Sequence, residues 1–230
     1  MFEAITSSQY FGFGLTFLGF EIGVAIQKKF KKPWLNPLLI GIIFCILVIK
    51  ILGISYSQYN QSAQYIGYLL TPATVCLVIS LYKQLDLLKK NWKAIIIGVI
   101  SGMITCMLAV LLIAIIFNLD HSQYVTLLPK SITTAIGVAV SGELGGYEQI
   151  TVAAIVLTGI FGNIIAIPVC KLFKITEPIA QGVAIGTASH AVGTAKAVEM
   201  GEVQGAMSGL AISVAGIVAV LLAQVFVLIH

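Results

Sequence analysis

The sequence predicts an all-α, polytopic integral membrane protein with six full transmembrane helices and two broken or re-entrant polar helical stretches. Three observations predict it. Apolar residues fill 59% of the 230 positions and charged residues only 10%, with mean hydropathy +1.03, whereas soluble domains carry about 25% charge. Apolar runs recur at roughly the 20-residue length a helix needs to cross hydrocarbon. Most lysines cluster beside these runs. So much apolar surface cannot be hidden in a soluble core.

The first span is read from Tyr10 to Ile26, closed by Lys28, Lys29, Lys31 and Lys32. The second runs from Leu35 to Ile54, with Lys50 placed to snorkel to the interface. The third covers Tyr65 to Tyr82 and carries Pro72, a predicted kink. The fourth, Ala94 to Phe117, is the most continuously apolar. The loops at 28–32 and 83–93 hold eight lysines against one acid, Asp86, while the 55–64 loop holds no lysine. The positive-inside rule then puts the lysine loops in the cytoplasm and the N-terminus outside. No cleavable signal peptide is expected, because Glu3 opens a segment without a basic leader and long enough to span.

The last two spans, Ile150 to Cys170 and Ala206 to Ile229, are each preceded by a stretch rich in Gly, Ala, Ser and Thr. These are Leu127–Gly146 and Pro178–Gly201, neither apolar enough to face lipid. At an offset of 56 residues, Thr134–Ala139 aligns with His190–Ala195, Gly137 with Gly193, Glu143 with Glu199 and Gly145 with Gly201. An internal repeat is predicted, dividing the chain into a four-helix region, 1–120, and a repeat region, 121–230, with units 122–170 and 178–230. If both polar stretches cross, the chain has eight crossings and Lys171 and Lys174 fall outside. If both are hairpins, those lysines are cytoplasmic and the two units are inverted, a common transporter plan.

Broken backbone at membrane depth survives only inside protein or beside a watery cavity. Gly137 and Gly193 are the expected break points. A break frees N–H groups whose partial positive charge suits a carboxylate, and Ser131, Thr133, Thr134, Thr187, Ser189 and Thr194 supply hydroxyls around both. Small residues also serve close helix packing, but packing leaves Lys130, Glu143, His190, Lys196 and Glu199 unexplained. His190, Glu143 and Glu199 are candidates for a coupled proton, His190 first because imidazole titrates near neutrality; a bridge between helices is the alternative for the histidine. Glu148 and Glu202 read as interfacial. Glu21 reads as a partner-facing acid, a proton site or a group near the interface.

Several classes are disfavoured. The chain has no arginine, which argues against nucleic-acid binding. Cys45, Cys76, Cys106 and Cys170 have no paired spacing, so neither metal nor disulfide is expected, and no cofactor. Enzymatic motifs are lacking; adjacent Ser189 and His190 point about 100° apart on a helix.

Three segments resemble the LrgB/CidB family: Pro72–Lys83, Leu128–Ile136 (LPKSITTAI) and Gly186–Gly193 with the following Glu-Met-Gly ending at Gly201. Ser80 stands where several relatives have Pro. The resemblance implies an antiholin-like protein linked to murein hydrolase activity and lysis, acting beside a small LrgA/CidA-type membrane partner. It also implies kinship with plastid glycolate/glycerate exporters and with bacterial pairs connected to pyruvate uptake. Transport of a small monocarboxylate agrees with the polar stretches, with Ser131, Thr133, Thr134, Gly137, Ser189, His190, Gly193 and Thr194 expected at the substrate. The expected setting is the bacterial plasma membrane. With only 230 residues, a homo-oligomer or a partner scaffold is expected too.

Overall fold

A computed structural model describes residues 8, 10–30, 35–69, 72, 82 and 85–230. The described residues form helices and turns, without strands. The third predicted span, with Pro72, Cys76, Ser80 and most of the Pro72–Lys83 segment, lies outside them. The chain divides into two compact units, Met1–Cys76 and Leu77–His230.

In the first unit, α1 (Phe11–Phe30) is followed by α2 (Pro37–Ile51) and α3 (Tyr56–Gly67). The buried face of α1 carries Gly12, Gly19 and Gly23, a spacing that repeats on one side of a helix. A Cβ at Gly19 would sit 3.1 Å from the Gly41 carbonyl, and one at Gly12 would overlap the Tyr59 carbonyl. Lipid offers helices no hydrophobic drive to associate, so close approach through small residues holds this packing. Asn36 caps α2 by accepting from Leu38 N and Leu39 N. At 15 residues α2 is shorter than the expected second span. The 55–64 segment, read as a loop, is helical: Ser55 and Gln58 form a capping box that starts α3. Its buried Ser62 accepts from Gly12 N at 2.7 Å, and Tyr59 bonds Thr16 at 2.6 Å.

The second unit is built on α4 (Leu85–Phe117), with α5 (His121–Leu127), α6 (Thr134–Glu143), α7 (Glu148–Leu172), α8 (Pro178–Met200) and α9 (Glu202–Phe226). Three helical segments, Lys89–Phe117, Glu148–Leu172 and Glu202–Phe226, are long and apolar enough to cross a membrane. On α4, Ile95, Val99, Met103, Met107, Val110 and Ala114 form one buried stripe. On α9, Met207, Ala211, Ala215, Ala219 and Ala223 recur every fourth residue and join the same core. Short alanines let the two long helices approach closely.

Both polar stretches are broken and double back. Chain from Leu128 to Thr133 is non-helical between α5 and α6. Beyond it, Tyr147 N donates to Thr126 Oγ1 at 2.7 Å and Thr151 Oγ1 to the Thr126 carbonyl at 2.9 Å. Residues before and after that break therefore lie side by side. The turn into α7 uses Gly145 at φ +82°, a conformation that suits glycine. In α8 the reversal falls on His190, with φ 43° and ψ −142°. The start of α8 meets the start of α9, which follows its end: Gln204 Nε2 donates to Gln181 Oε1 at 3.2 Å.

The glycines are not where the chain breaks, contrary to the sequence reading. Gly137 sits inside α6, its N–H bonded to the Thr133 carbonyl at 2.8 Å. Gly193 lies three residues beyond the reversal. Each is needed for contact instead: a Cβ at Gly137 would come 2.5 Å from Ile155 Cδ1, and one at Gly193 would overlap Ser189 Cβ. The offset of 56 also relates two other positions. It pairs Thr133–Thr134, where α6 starts, with Ser189–His190, where α8 reverses.

Candidate functional site: two broken helix tips on one face of α4

The first tip is Leu128–Thr133, held against α4. Ser131, almost fully buried, lies with its Oγ 2.9 Å from Cys106 Sγ. Lys130 Nζ donates to Ser131 Oγ at 3.3 Å and to Cys106 Sγ at 3.4 Å. Among the described residues, the Lys196–Glu199 contact is the ion pair and no carboxylate balances Lys130. Thr133 is the N-cap of α6, yet its side chain makes no capping bond. The first turn of α6 thus gets no cap from Thr133, three residues along from Lys130, and a helix N-terminus and an ammonium both suit an anion.

The second tip is Ser189–His190, seated on α7. His190 Nε2 lies 2.9 Å from the Ile155 carbonyl. A carbonyl only accepts, so Nε2 carries the proton and Nδ1 is the nitrogen left to take one up. α7 makes room with glycine: a Cβ at Gly159 would come 2.6 Å from His190 Cε1, and one at Gly162 would overlap Ser189. Asn163 Nδ2 donates to the Val192 carbonyl at 2.9 Å. Thr194 Oγ1 donates to the His190 carbonyl at 2.9 Å and meets Ser208 Oγ on α9 at 2.7 Å. These bonds consume polar backbone that the reversal would otherwise strand at membrane depth.

One face of α4 touches the first tip and the turn of α8 that precedes the second. Gly98 faces Val183, Gly102 faces Thr187 and Cys106 faces Ser131. Successive members of that row are one helical turn, about 6 Å, apart. A Cβ at Gly102 would come 2.9 Å from Thr187 Cγ2. Gly102 is also near the centre of the apolar Lys89–Phe117 segment, about 20 Å of helix from each end. Ser131 and Thr187 thus meet neighbouring turns near the middle of a segment long enough to cross a membrane, where charge is costly.

Of the expected site residues, Ser131, Ser189, His190, Gly193 and Thr194 are buried around these tips, and Thr133 opens α6. Thr134 is exposed. Glu143 and Glu199 lie elsewhere: both are exposed at the far ends of α6 and α8, about 14 Å of helix from the breaks. Lys196 pairs with Glu199 at 2.7 Å. Sequence reasoning missed Gly102, Cys106, Gly159, Gly162 and Asn163. A signal existed in the Gly98–Gly102 pair, which has the small-residue spacing of close-packed membrane helices.

The LrgB-like family profile matches residues 16–229. The chain belongs to the LrgB-like family. It is 39% identical to the antiholin-like protein LrgB of Bacillus subtilis over 223 residues, covering 96% of each chain. Against proteins of the same name from Bacillus cereus and Bacillus anthracis the identity is 34% over 224 residues, 97% of each chain. No solved structure matches. The LrgB-like match contains both tips, α4 and α7 in full, so the resemblance at LPKSITTAI and Gly186–Gly193 extends to a full-length relationship.

Proposed function

We propose that this LrgB-like protein is a carrier of small monocarboxylates of the pyruvate, lactate, glycolate or glycerate kind, with its site between the two tips. The observation carrying the reading is Lys130: a half-buried ammonium held against Cys106 of α4 by a hydroxyl and a thiol, with no described carboxylate to neutralise it. An anionic substrate supplies the missing charge. The helical segments that begin after Thr133 and after His190 each carry partial positive charge on their first-turn N–H groups. His190, whose Nδ1 remains available, carries the coupled proton. The reading is of a transporter without enzymatic activity.

In this scheme the polar stretches are re-entrant hairpins and the chain makes six crossings. Thr126 meeting Tyr147 and Thr151, and Gln181 meeting Gln204, support hairpins that begin and end on one side. The first hairpin enters beside the C-terminal end of α4 and the second beside its N-terminal end. Two inverted units of hairpin plus helix result, with α7 and α9 each 25 residues long. The lysine rule orients the N-terminus outside and Lys171 and Lys174 in the cytoplasm of a bacterial cell. An LrgA/CidA-type partner, or a second copy of the chain, supplies the scaffold against which the carrier moves.

A second reading follows from the relatives' names: an antiholin-like regulator of murein hydrolase export and lysis. Uptake of radiolabelled pyruvate and glycolate into proteoliposomes, with and without the partner and across pH, separates the two. The carrier reading expects saturable uptake that Lys130→Met reduces at least tenfold. Partner-dependent leakage that ignores carboxylate would replace it with the regulator.

A further inference from the structure

Thr187 is 4% exposed, and its hydroxyl is the buried side-chain polar atom among the described residues that finds no hydrogen-bond partner. Buried polar groups are nearly always paired, and an unpaired one is destabilising. A threonine inside a helix ordinarily bonds the carbonyl one turn back, as Thr194 does to His190. Thr187 does not. It sits one turn before the second tip, with its methyl against Gly102, a turn of α4 from the contact between Cys106, Ser131 and Lys130.

A cleft of about 350 Å³ leads toward this residue between α4 and the first half of α8. Asn91 and Glu177 lie at its outer end, beside Lys89, Lys90 and Lys93; Gly98, Val183 and Ala184 lie at its inner end. Thr187 is the next turn inward on α8, as Gly102 is on α4. Gly98 and Val183 are the narrow place between cleft and tips: a Cβ at Gly98 would already touch Val183 Cγ1 at 3.4 Å.

We infer that Thr187 is the specificity-determining residue of the carrier and that the α4–α8 cleft is the water path reaching it from the lysine-flanked side. This rests on the carboxylate-transport reading and extends it. Lys130, Ser131 and the α6 N-terminus take the carboxylate. Thr187, which meets α4 one turn before Cys106, about 6 Å of helix rise, bonds an oxygen on the neighbouring carbon. A separation that short admits an acid of two or three carbons and selects one with a hydroxyl or oxo group at C2 over its plain alkyl counterpart. The hydroxyl serves either class, donating to an oxo group or accepting from a hydroxyl.

The test compares glycolate with acetate in proteoliposomes of wild type, Thr187→Val and Thr187→Ser. Wild type is expected to take glycolate at least tenfold more tightly than acetate. Thr187→Val, which keeps the shape, should lower that ratio about tenfold, and Thr187→Ser should restore most of it. A purely structural threonine would shift both acids together, and that outcome overturns the assignment, as does a wild type that does not discriminate. Ala184→Cys, with Cys106 retained, should add a reaction with a membrane-impermeant thiol reagent from the lysine-flanked side beyond that of wild type, slower when glycolate is present. No added reaction from that side overturns the path. Saturable uptake with an unchanged ratio in Thr187→Val refutes Thr187 and leaves the carrier standing; no saturable uptake by wild type refutes the carrier and Thr187's part in it.

Discussion

His190 offers a test of the second tip that separates backbone from side chain. Its φ of 43° with ψ −142° is a conformation glycine adopts freely and an L-residue adopts at a cost of about 1–3 kcal/mol. Its ring contributes the bond to the Ile155 carbonyl, about 1 kcal/mol net. His190→Ala and His190→Gly both lose that bond and leave the same carbonyl behind. They differ in the backbone: alanine keeps the strain and glycine releases it, less about 0.7 kcal/mol for glycine's greater freedom when unfolded. His190→Gly should therefore be the more stable of the two by about 1 kcal/mol. The usual helix order holds at exposed Ala195, where Ala195→Gly should lose about 1 kcal/mol. Unfolding by sodium dodecyl sulfate in mixed micelles, followed by far-UV circular dichroism, measures both differences. If His190→Ala equals or exceeds His190→Gly in stability, position 190 does not hold the reversal.

Other expectations follow from the same contacts. Gly162→Ala should destabilise the protein by about 1–3 kcal/mol through overlap with Ser189, while Gly14→Ala, with open space around it, should not, by the same micelle titration. Ser62→Ala should cost about 1–3 kcal/mol by stranding Gly12 N, and the loss should appear in unfolding of the first unit. Asn163→Ala, which exposes the Val192 carbonyl at the second tip, should cost about 1–2 kcal/mol and reduce carboxylate uptake more than expression level. Uptake by His190→Gln, which keeps a donor for Ile155 but cannot titrate, should lose its dependence on an imposed pH gradient; coupling retained in this variant would remove the histidine as the proton carrier.

Much of the architecture was legible because lipid imposes simple rules on sequence. Uninterrupted apolar residues marked Ala94–Phe117, Ile150–Cys170 and Ala206–Ile229, and helices occupy all three to within a few residues at most ends. α4 runs nine residues further back, since Leu85 to Lys93 is helical without being apolar. The Ser55–Gln58 capping box was in plain view, but a lysine-free polar segment between spans was read as a loop. The tips were found by composition and misplaced by three or more residues, because glycine was assumed to hinge. Here tertiary contact decides: Ile155 and the glycines of α7 hold His190 in a conformation its own propensity disfavours. The meeting of both stretches with neighbouring turns of α4 was not readable at all. It depends on which turn of α4 meets Ser131 and which meets Thr187, a matter of helix rotation that only the Gly98–Gly102 spacing hinted at.

The central claim is that the tips form a carboxylate site that moves substrate by alternating exposure, and counterflow tests it most directly. Proteoliposomes are loaded with unlabelled glycolate and diluted into a trace of labelled glycolate. A carrier predicts transient accumulation of label above the equilibrium level, abolished in Lys130→Met, with co-trapped dye retained throughout. Label that only equilibrates, or dye that escapes alongside it, would contradict the account and leave a pore or a regulator of one in its place.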